Sequence, residues 1–258
     1  MSNDNFQLYA SYYNLLYRDK DYKSEVEYVE SLFRKFASRK ISHILNLGCG
    51  TGNHDFLFAE KGYMVHGVDL SESMVEDAKK RANDSGSGEN VLFSQGDIRT
   101  IQFGKKFDAV ISLFHVMSYQ TENSDIESVF QTAHEHLEKG GLFVFDCWHG
   151  PAVLADPPVV KVKEVENELI SVHRMAKPII HLNENIVDVN FEIQVTRKKD
   201  KSLEKFDELH RMRYLFEPEL NLIAHHSGFS DLASYKWLTL EKSSELSWNV
   251  VYVFKKDN

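Results

Sequence analysis

Three glycines spaced two apart, Gly48, Gly50 and Gly52, sit in the stretch LNLGCGTGN (residues 45–53), directly behind a short apolar run. Alternating glycines let a backbone approach a ligand closely and adopt dihedrals closed to other residues. Three ligands suit such a turn: a phosphate, a dinucleotide or S-adenosylmethionine (SAM). A phosphate-cradling P-loop needs Gly-Lys-Ser/Thr at its end, and no Gly-Lys follows this run. The dinucleotide fingerprint G-x-G-x-x-G asks for a third glycine where this chain carries Asn53, so that reading is the weaker one.

Two carboxylates downstream sharpen the choice. Asp69 ends the next apolar run, where a carboxylate accepts both hydroxyls of a ribose lying across strand tips. Asp97, in SQGDIR, follows the third run and is placed to accept from an adenine amino group, with Ile98 able to cover the ring. A lone acid at a strand end is often only a helix cap. The glycine turn, Asp69 and Asp97 in this order at one sheet edge point to an adenosyl ligand.

These residues need a sheet to hold them. From residue 41 short apolar runs alternate with helical stretches: HILNLGCG, YMVHGVDL, VLFSQGDI, KFDAVISLF and GLFVFDCW read as strands. AVISLF and GLFVF are apolar on both faces, as strands covered by helices on both sides must be. The alternation predicts an α/β, doubly wound sheet. NHDFLFAEKG reads as a helix ending at Gly62, and SESMVEDAKKRAND as the next one. In SDIESVFQTAHEHLEKGG, Ser124 and Glu127 fit a capping box and Gly140 fits a helix stop.

Ahead of the sheet, residues 6–39 read as helical, with five tyrosines in YASYYNLLYRDKDY. Between residues 155 and 216 the period changes to two. Val187, Val189, Phe191, Ile193 and Val195 alternate with polar residues, the pattern of an antiparallel strand with one wet face. VVKVKEV, ELISVHRM and FDELHRMRYLF read as its neighbours, and RKKDKS as a hairpin turn. EPELNLIAHHSGF then returns to a helix, before the strands LASYKWL and WNVVYVFKK; SGSGEN at 85–90 reads as a surface turn.

Composition sets the outer limits. The 258 residues are 42% hydrophobic and 27% charged, as in an ordinary globular domain. A net charge of −9 with no basic stripe argues against nucleic-acid binding. No apolar run approaches the roughly 18 residues of a membrane span, and MSNDNFQLYA lacks the regions of a signal peptide. Only Cys49 and Cys147 occur, without a CxxC pair, which excludes a disulfide framework or structural zinc and favours the cytoplasm. The histidine pairs 134/136 and 225/226 lack metal-ligand spacing, so no metal is expected. DPP at 156–158 follows strand five and is succeeded by Val159, not by the aromatic ring of a base-flipping DNA methyltransferase.

On LNLGCGTG, VDLSESM, GDI, KFDAVISLF, LEKGGLFVFD and SGF, the chain resembles the class I SAM-dependent methyltransferases, over about residues 41–150 and again over 217–255. The resemblance implies a Rossmann-like seven-stranded sheet whose last strand is antiparallel. One domain then spans 1–258: a helical cofactor cover (1–40), a SAM-binding core (41–154), an antiparallel β insertion (155–216) between strand five and the following helix, and core completion (217–258). The cofactor contacts implied are Gly48, Cys49, Gly50, Asp69, Leu70, Met74, Asp97, Ile98 and Leu113. One departure stands out: a carboxylate is common two residues before the first motif glycine, and this chain has Asn46 there.

YYNLLYRDKDY and the β insertion look like those of small-molecule N-methyltransferases, including amino-sugar N,N-dimethyltransferases. On that likeness Tyr13, Arg18 and Tyr22 become cofactor contacts, with Arg18 facing the methionine carboxylate. Methyl transfer is an in-line displacement in which the cofactor brings the reactivity and the protein aligns the partners. An amine acceptor needs only to lose its proton. The loop SLFHVMSYQ after strand four therefore offers His115 as a proton acceptor and Tyr119 as an orienting group. His149, just beyond strand five, is the candidate substrate contact. The expected reaction is methyl transfer from SAM to a small-molecule acceptor, at an amine nitrogen. A non-catalytic SAM-binding or regulatory subunit and a nicotinamide-dependent oxidoreductase stand as the alternatives. The β insertion is expected to line the acceptor pocket or to form a homodimer interface.

Overall fold

A computed structural model describes residues 12–85 and 90–257 of the protein. The helix expected from residue 6 and the turn expected at 85–90 lie outside these residues at 6–11 and 86–89. In chain order the elements are α1 (Tyr22–Phe36), β1 (His43–Leu47), α2 (Asn53–Glu60), β2 (Met64–Asp69), α3 (Glu72–Ser85), β3 (Val91–Gln95), β4 (Phe107–Ser112), α4 (Asn123–His136) and β5 (Leu137–Trp148). Then come α5 (Gly150–Ala155), β6 (Lys161–Glu166), β7 (Ile170–His181), β8 (Ile186–Arg197), β9 (Leu203–Arg213), α6 (Glu217–His226), β10 (Phe229–Lys236) and β11 (Asn249–Lys256).

The main sheet has seven strands in the order β10-β11-β5-β4-β1-β2-β3. All neighbours are parallel except β11, which runs antiparallel to both β5 and β10. The double cover is visible residue by residue. Ile44, Ala109, Ile111, Leu142, Val144, Val251 and Val253 pack with Val26, Val29 and Leu32 of α1, Phe58 of α2 and Val75 of α3. Their neighbours Leu45, Val110, Phe143, Phe145, Tyr252 and Phe254 face the other way, onto Ile126, Val129 and Phe130 of α4 and Leu220 and Ile223 of α6. Strands with two apolar faces are what such a sandwich of helices requires. The strand order reverses at β1, running outward to β2 and β3 on one side and to β4 and β5 on the other, and this opens a crevice at the strand tips, the usual ligand position in these sheets.

The insertion is a second sheet, β6-β7-β8-β9, antiparallel throughout. One end of its inner face packs Ile170, Val172, Ile193 and Val195 against Tyr12, Leu15 and Leu16 of a short helix at 12–16. The other end packs Val187, Val189, Met212 and Tyr214 against Val153 and the indoles Trp148 and Trp248.

Three local expectations are corrected. In the described part of the stretch read as helical over 6–39, the helix is interrupted between residues 16 and 22, where the Asp21 side chain accepts from Ser24 N at 3.0 Å and caps a new helix from Tyr22. The capping box at Ser124 and Glu127 does not form; α4 begins at Asn123 behind Glu122. Gly140 does not stop α4, which ends at His136. It lies instead in an irregular start of β5 at φ 69, and beside it a Cβ on Gly141 would stand 2.9 Å from the Asp108 carbonyl oxygen of β4. The Gly-Gly pair thus serves a close approach of two strands.

Candidate active site

The glycine turn joins β1 to α2. The amides of Gly48 and Cys49 both donate to the Val68 carbonyl, at 2.7 and 2.9 Å, which ties the turn to the tip of β2. Gly48 has φ 84, and a Cβ there would lie 2.5 Å from the Val116 side chain. Gly50 has φ 56, with no atom of the described residues within 4 Å of where a Cβ would stand, and it lines a cavity of about 890 Å³. One glycine is therefore demanded by packing, and the other leaves open backbone on a cavity wall.

The strand-tip acids stand where the motif order placed them. Asp69 Oδ2 accepts from Gly50 N at 2.8 Å and Oδ1 from Ser71 N at 2.9 Å. Burial pushes the Asp69 carboxyl above its ordinary value, against the lowering pull of these amides. A carboxylate has about four lone-pair sites, so capacity remains for a diol. Asp97 is held by Arg99, whose Nη2 lies 2.6 Å from Oδ2 and whose Nη1 reaches Asp125 at 2.8 Å. That guanidinium keeps the Asp97 carboxyl below its usual range. Leu70, Met74, Ile98 and Leu113 line the same cavity.

The loop after β4 carries two consecutive non-glycine residues in left-handed backbone, Phe114 (φ 68) and His115 (φ 64). Such dihedrals cost of order 1–3 kcal/mol each and persist only where other contacts enforce them. The enforcing group is Asp146 of β5, wholly buried, whose oxygens accept from Phe114 N at 2.6 Å and His115 N at 3.2 Å. His115 Nδ1 also lies 3.0 Å from Asp146 Oδ2, without making a hydrogen bond to it. Burial disfavours the Asp146 anion, yet the charge of His115 and the bonds to it and to Asn249 outweigh this and hold its pKa below the ordinary value. Asp146 is one of the residues that the sequence motifs do not single out; its signal there is an acid ending the apolar run FVFD.

The N-terminal segment covers the turn. Thr51 Oγ1 donates to Asn14 Oδ1 at 3.0 Å, and the rings of Tyr17 and Phe114 meet edge-on at 5.0 Å. Tyr13 and Tyr22 line the cavity; burial raises the Tyr22 phenol to about 12, against the lowering effect of a bond with Asn53. Arg18 is not brought there. Its Nη1 donates to the Glu166 carbonyl at 3.2 Å and its Nε pairs with Asp19, on the outer side of the cover. The cation inside the cover is Lys20, paired with Glu25, and Glu25 in turn meets His54 Nε2 at 2.7 Å.

His149 is also outside the cavity lining. It precedes α5, is 5% exposed, and its amide donates to the Trp248 carbonyl. Burial pushes its pKa down, although backbone groups of Ser247 and Ser244 pull the other way. The insertion instead supplies Arg174, Phe191, Glu208 and His210 to the cavity wall. Tyr119 Oη lies 2.7 Å from His210 Nδ1, His210 Nε2 lies 3.1 Å from Glu208 Oε2, and Glu208 also accepts from Tyr12 Oη. Arg174 stacks 4.5 Å over Phe191.

Among the described residues no cluster of His, Cys, Asp and Glu is arranged to hold a metal, and no helix is long and apolar enough to cross a membrane. The residues present fit an adenosyl group: open glycine backbone, a strand-tip acid with spare acceptor sites, a second acid, and apolar side chains between them. Comparison with known proteins agrees. Residues 44–141 match the methyltransferase domain family. The chain is 29% identical over 213 residues to a dTDP-3-amino-3,4,6-trideoxy-alpha-D-glucopyranose N,N-dimethyltransferase of Streptomyces venezuelae, covering 82% of this chain and 85% of that one. Its fold matches the crystal structure of Streptomyces venezuelae DesVI, with a TM-score of 0.79, 24% identity and full coverage of both chains. It also matches an S-adenosylmethionine-dependent methyltransferase from Clostridium acetobutylicum, with a TM-score of 0.80, 20% identity and coverage of 98% and 99%. Residues 44–141 thus carry a methyltransferase domain, and the chain as a whole has the fold of S-adenosylmethionine-dependent methyltransferases.

Proposed function

We propose that this methyltransferase acts on the amine of a nucleotide-linked amino sugar. The observation that carries this reading is the shared cavity. Its 890 Å³ is at the upper end of ordinary small-molecule sites (roughly 300–1,000 Å³), room for a cofactor and an acceptor side by side. One wall is the glycine turn and Asp69; the facing wall, from the insertion, carries a carboxylate, an imidazole and a guanidinium. The curated relative of similar length acts, by its name, on a dTDP-linked amino sugar.

Bound SAM supplies a methyl group already activated on a sulfonium, so the protein's part is alignment and deprotonation. Gly48, Cys49, Gly50, Asp69, Leu70, Met74, Asp97, Ile98, Leu113, Tyr13 and Tyr22 hold the cofactor on this reading. His115 and Tyr119 face the acceptor. The chain works as one unit, with residues 1–40 as cover, 41–154 and 217–258 as core and 155–216 as the acceptor wall. It acts in the cytoplasm, without a nucleic-acid partner.

The test is direct. Calorimetric titration with SAM and S-adenosylhomocysteine should show binding, and a dTDP-linked 3-amino sugar incubated with SAM should yield an N-methylated product by mass spectrometry. Methylation of hydroxyl acceptors alone would overturn the amine assignment.

A further inference from the structure

Three imidazoles line the cavity, and their surroundings differ: His54 is turned to Glu25 of the cover, with Nε2 at 2.7 Å from its carboxylate. Asp146, the partner of His115, is already committed to two backbone amides, and the His115 ring meets it without a hydrogen bond. His210, on β9, has both ring nitrogens engaged in sequence, one against a phenol and one against a carboxylate. An imidazole so placed passes a proton from one side to the other. The phenol belongs to Tyr119, in the short 3₁₀ turn at Val116–Tyr119 after β4; the carboxylate, Glu208, is two residues away on the same face of β9. Both residues of the insertion line the cavity with Tyr119.

We propose that Tyr119, His210 and Glu208 form the outlet for the acceptor's proton. The inference rests on the amine-methylation reading above. In the first step the acceptor ammonium gives a proton to Tyr119 Oη while the Tyr119 hydroxyl proton moves to His210 Nδ1. One N–H and one O–H bond break and one O–H and one N–H bond form, with no change of oxidation state. The products are a neutral amine, a neutral phenol and an imidazolium whose Nε2–H faces the Glu208 carboxylate. Once the product has left, the imidazolium gives its Nδ1 proton to water in the emptied cavity, the N–H bond breaking as an O–H bond forms, and the ring returns to its Nε2-protonated form; the His210 side chain is 24% accessible. Each methylation at nitrogen leaves a new ammonium that must be deprotonated before another methyl is accepted. The outlet is therefore needed once per transfer.

The charged and aromatic groups around His210 are these. Glu208 faces Nε2, and Tyr12, from the helix at 12–16, holds Glu208 in place through its other oxygen. The Phe191 ring of β8 lies edge-on at 5.0 Å, and the Arg174 guanidinium of β7 is stacked on Phe191. Arg211, next in sequence on β9, points to the opposite face, where it pairs with Glu184. Tyr119 and His210 act in series; Glu208 is a positioning residue.

The requirement on the resting state is specific: His210 must carry its proton on Nε2 and leave Nδ1 bare to receive one. Long-range ¹H–¹⁵N correlation on the S-adenosylhomocysteine complex reads this without any acceptor, with His210→Gln for assignment. Nε2-protonated His210 whose Nδ1 signal moves in Tyr119→Phe is the expected result; Nδ1-protonated His210 overturns the proposal. The kinetic arm uses the dTDP-linked 3-amino sugar. His210→Gln should lower kcat by roughly 10²-fold at neutral pH with little change in KM, recover toward wild type as pH rises, and accumulate the monomethyl product. Glu208→Gln should move the acid limb of the pH profile in the direction of a weaker base. A loss in His210→Gln that is the same at every pH, or no loss, overturns the outlet. A wild type that leaves this sugar unmethylated sinks the acceptor reading instead, and the tautomer spectrum then decides the outlet by itself.

Discussion

Asn46 Nδ2 donates to Asp55 Oδ2 at 2.8 Å, in a fully buried contact beneath the glycine turn. Where the resemblance to methyltransferases implies a carboxylate at the end of β1, this chain has an amide, and an acid stands on α2 within bonding distance of it. Burial raises the Asp55 carboxyl to about 7, against the lowering effect of the Asn46 bond. Among the described residues, its second oxygen has no hydrogen-bond partner.

Stability should accordingly depend on pH through Asp55. Its folded-state pKa of about 7 lies above the ordinary value of 3.8. Between these values the native state binds more protons than the unfolded chain, so this group's contribution is full below the lower value and is lost as pH rises through the higher one. Asp55→Asn removes that slope. Urea unfolding at pH 5 and pH 8 should show the variant gaining on wild type at the higher pH; an unchanged difference refutes the raised pKa.

Gly67 of β2 is the companion of that acid. A Cβ there would lie 2.7 Å from Asp55 Oδ1, 2.8 Å from Phe93 and 2.9 Å from Cys49. Gly67→Ala should cost about 1–3 kcal/mol by overpacking, measured by urea unfolding. Wild-type stability would mean that Asp55 moves freely.

Asp69→Ala should weaken S-adenosylhomocysteine binding by about 1–3 kcal/mol in calorimetry, because it removes charge-assisted hydrogen bonds. Unchanged affinity takes Asp69 out of the cofactor site.

Asp146→Ala strands the amides of Phe114 and His115 in the interior and removes the partner of His115. Loss of one member of such a buried pair costs about 3–5 kcal/mol. Asp146→Asn, which keeps one acceptor oxygen, should be milder. Equal unfolding midpoints for the two variants would show that Asp146 does not hold the left-handed turn.

The sheet, the glycine turn and the strand-tip acids were legible because each is a local pattern: doubly apolar runs, glycines at fixed offsets, an acid where the run ends. Arg18 and His149 lie outside the cavity lining, because nearness in sequence to the cofactor edge does not say which side of a segment faces inward. The insertion hid its chemistry for a related reason. Alternation marks one face of β9 by Phe206 and Met212, and Glu208 and His210 share that face. On pattern alone they spoil an apolar stripe. Only the tertiary structure shows that the stripe spans a cavity between two packed ends, where polar side chains have partners. Asp55 was unreadable in the same way, since its role depends on Asn46 across a turn.

The place of β11 has a bearing on how the protein is made. It lies between β5 and β10 and bonds to both, although it is the last strand in the chain order. During synthesis β1 to β5 emerge early, yet the open edge of β5 and the whole of β10 wait for residues 249–256 to leave the ribosome. Until then a long apolar edge is available for wrong pairing, the kind of exposure that recruits chaperones or seeds aggregation.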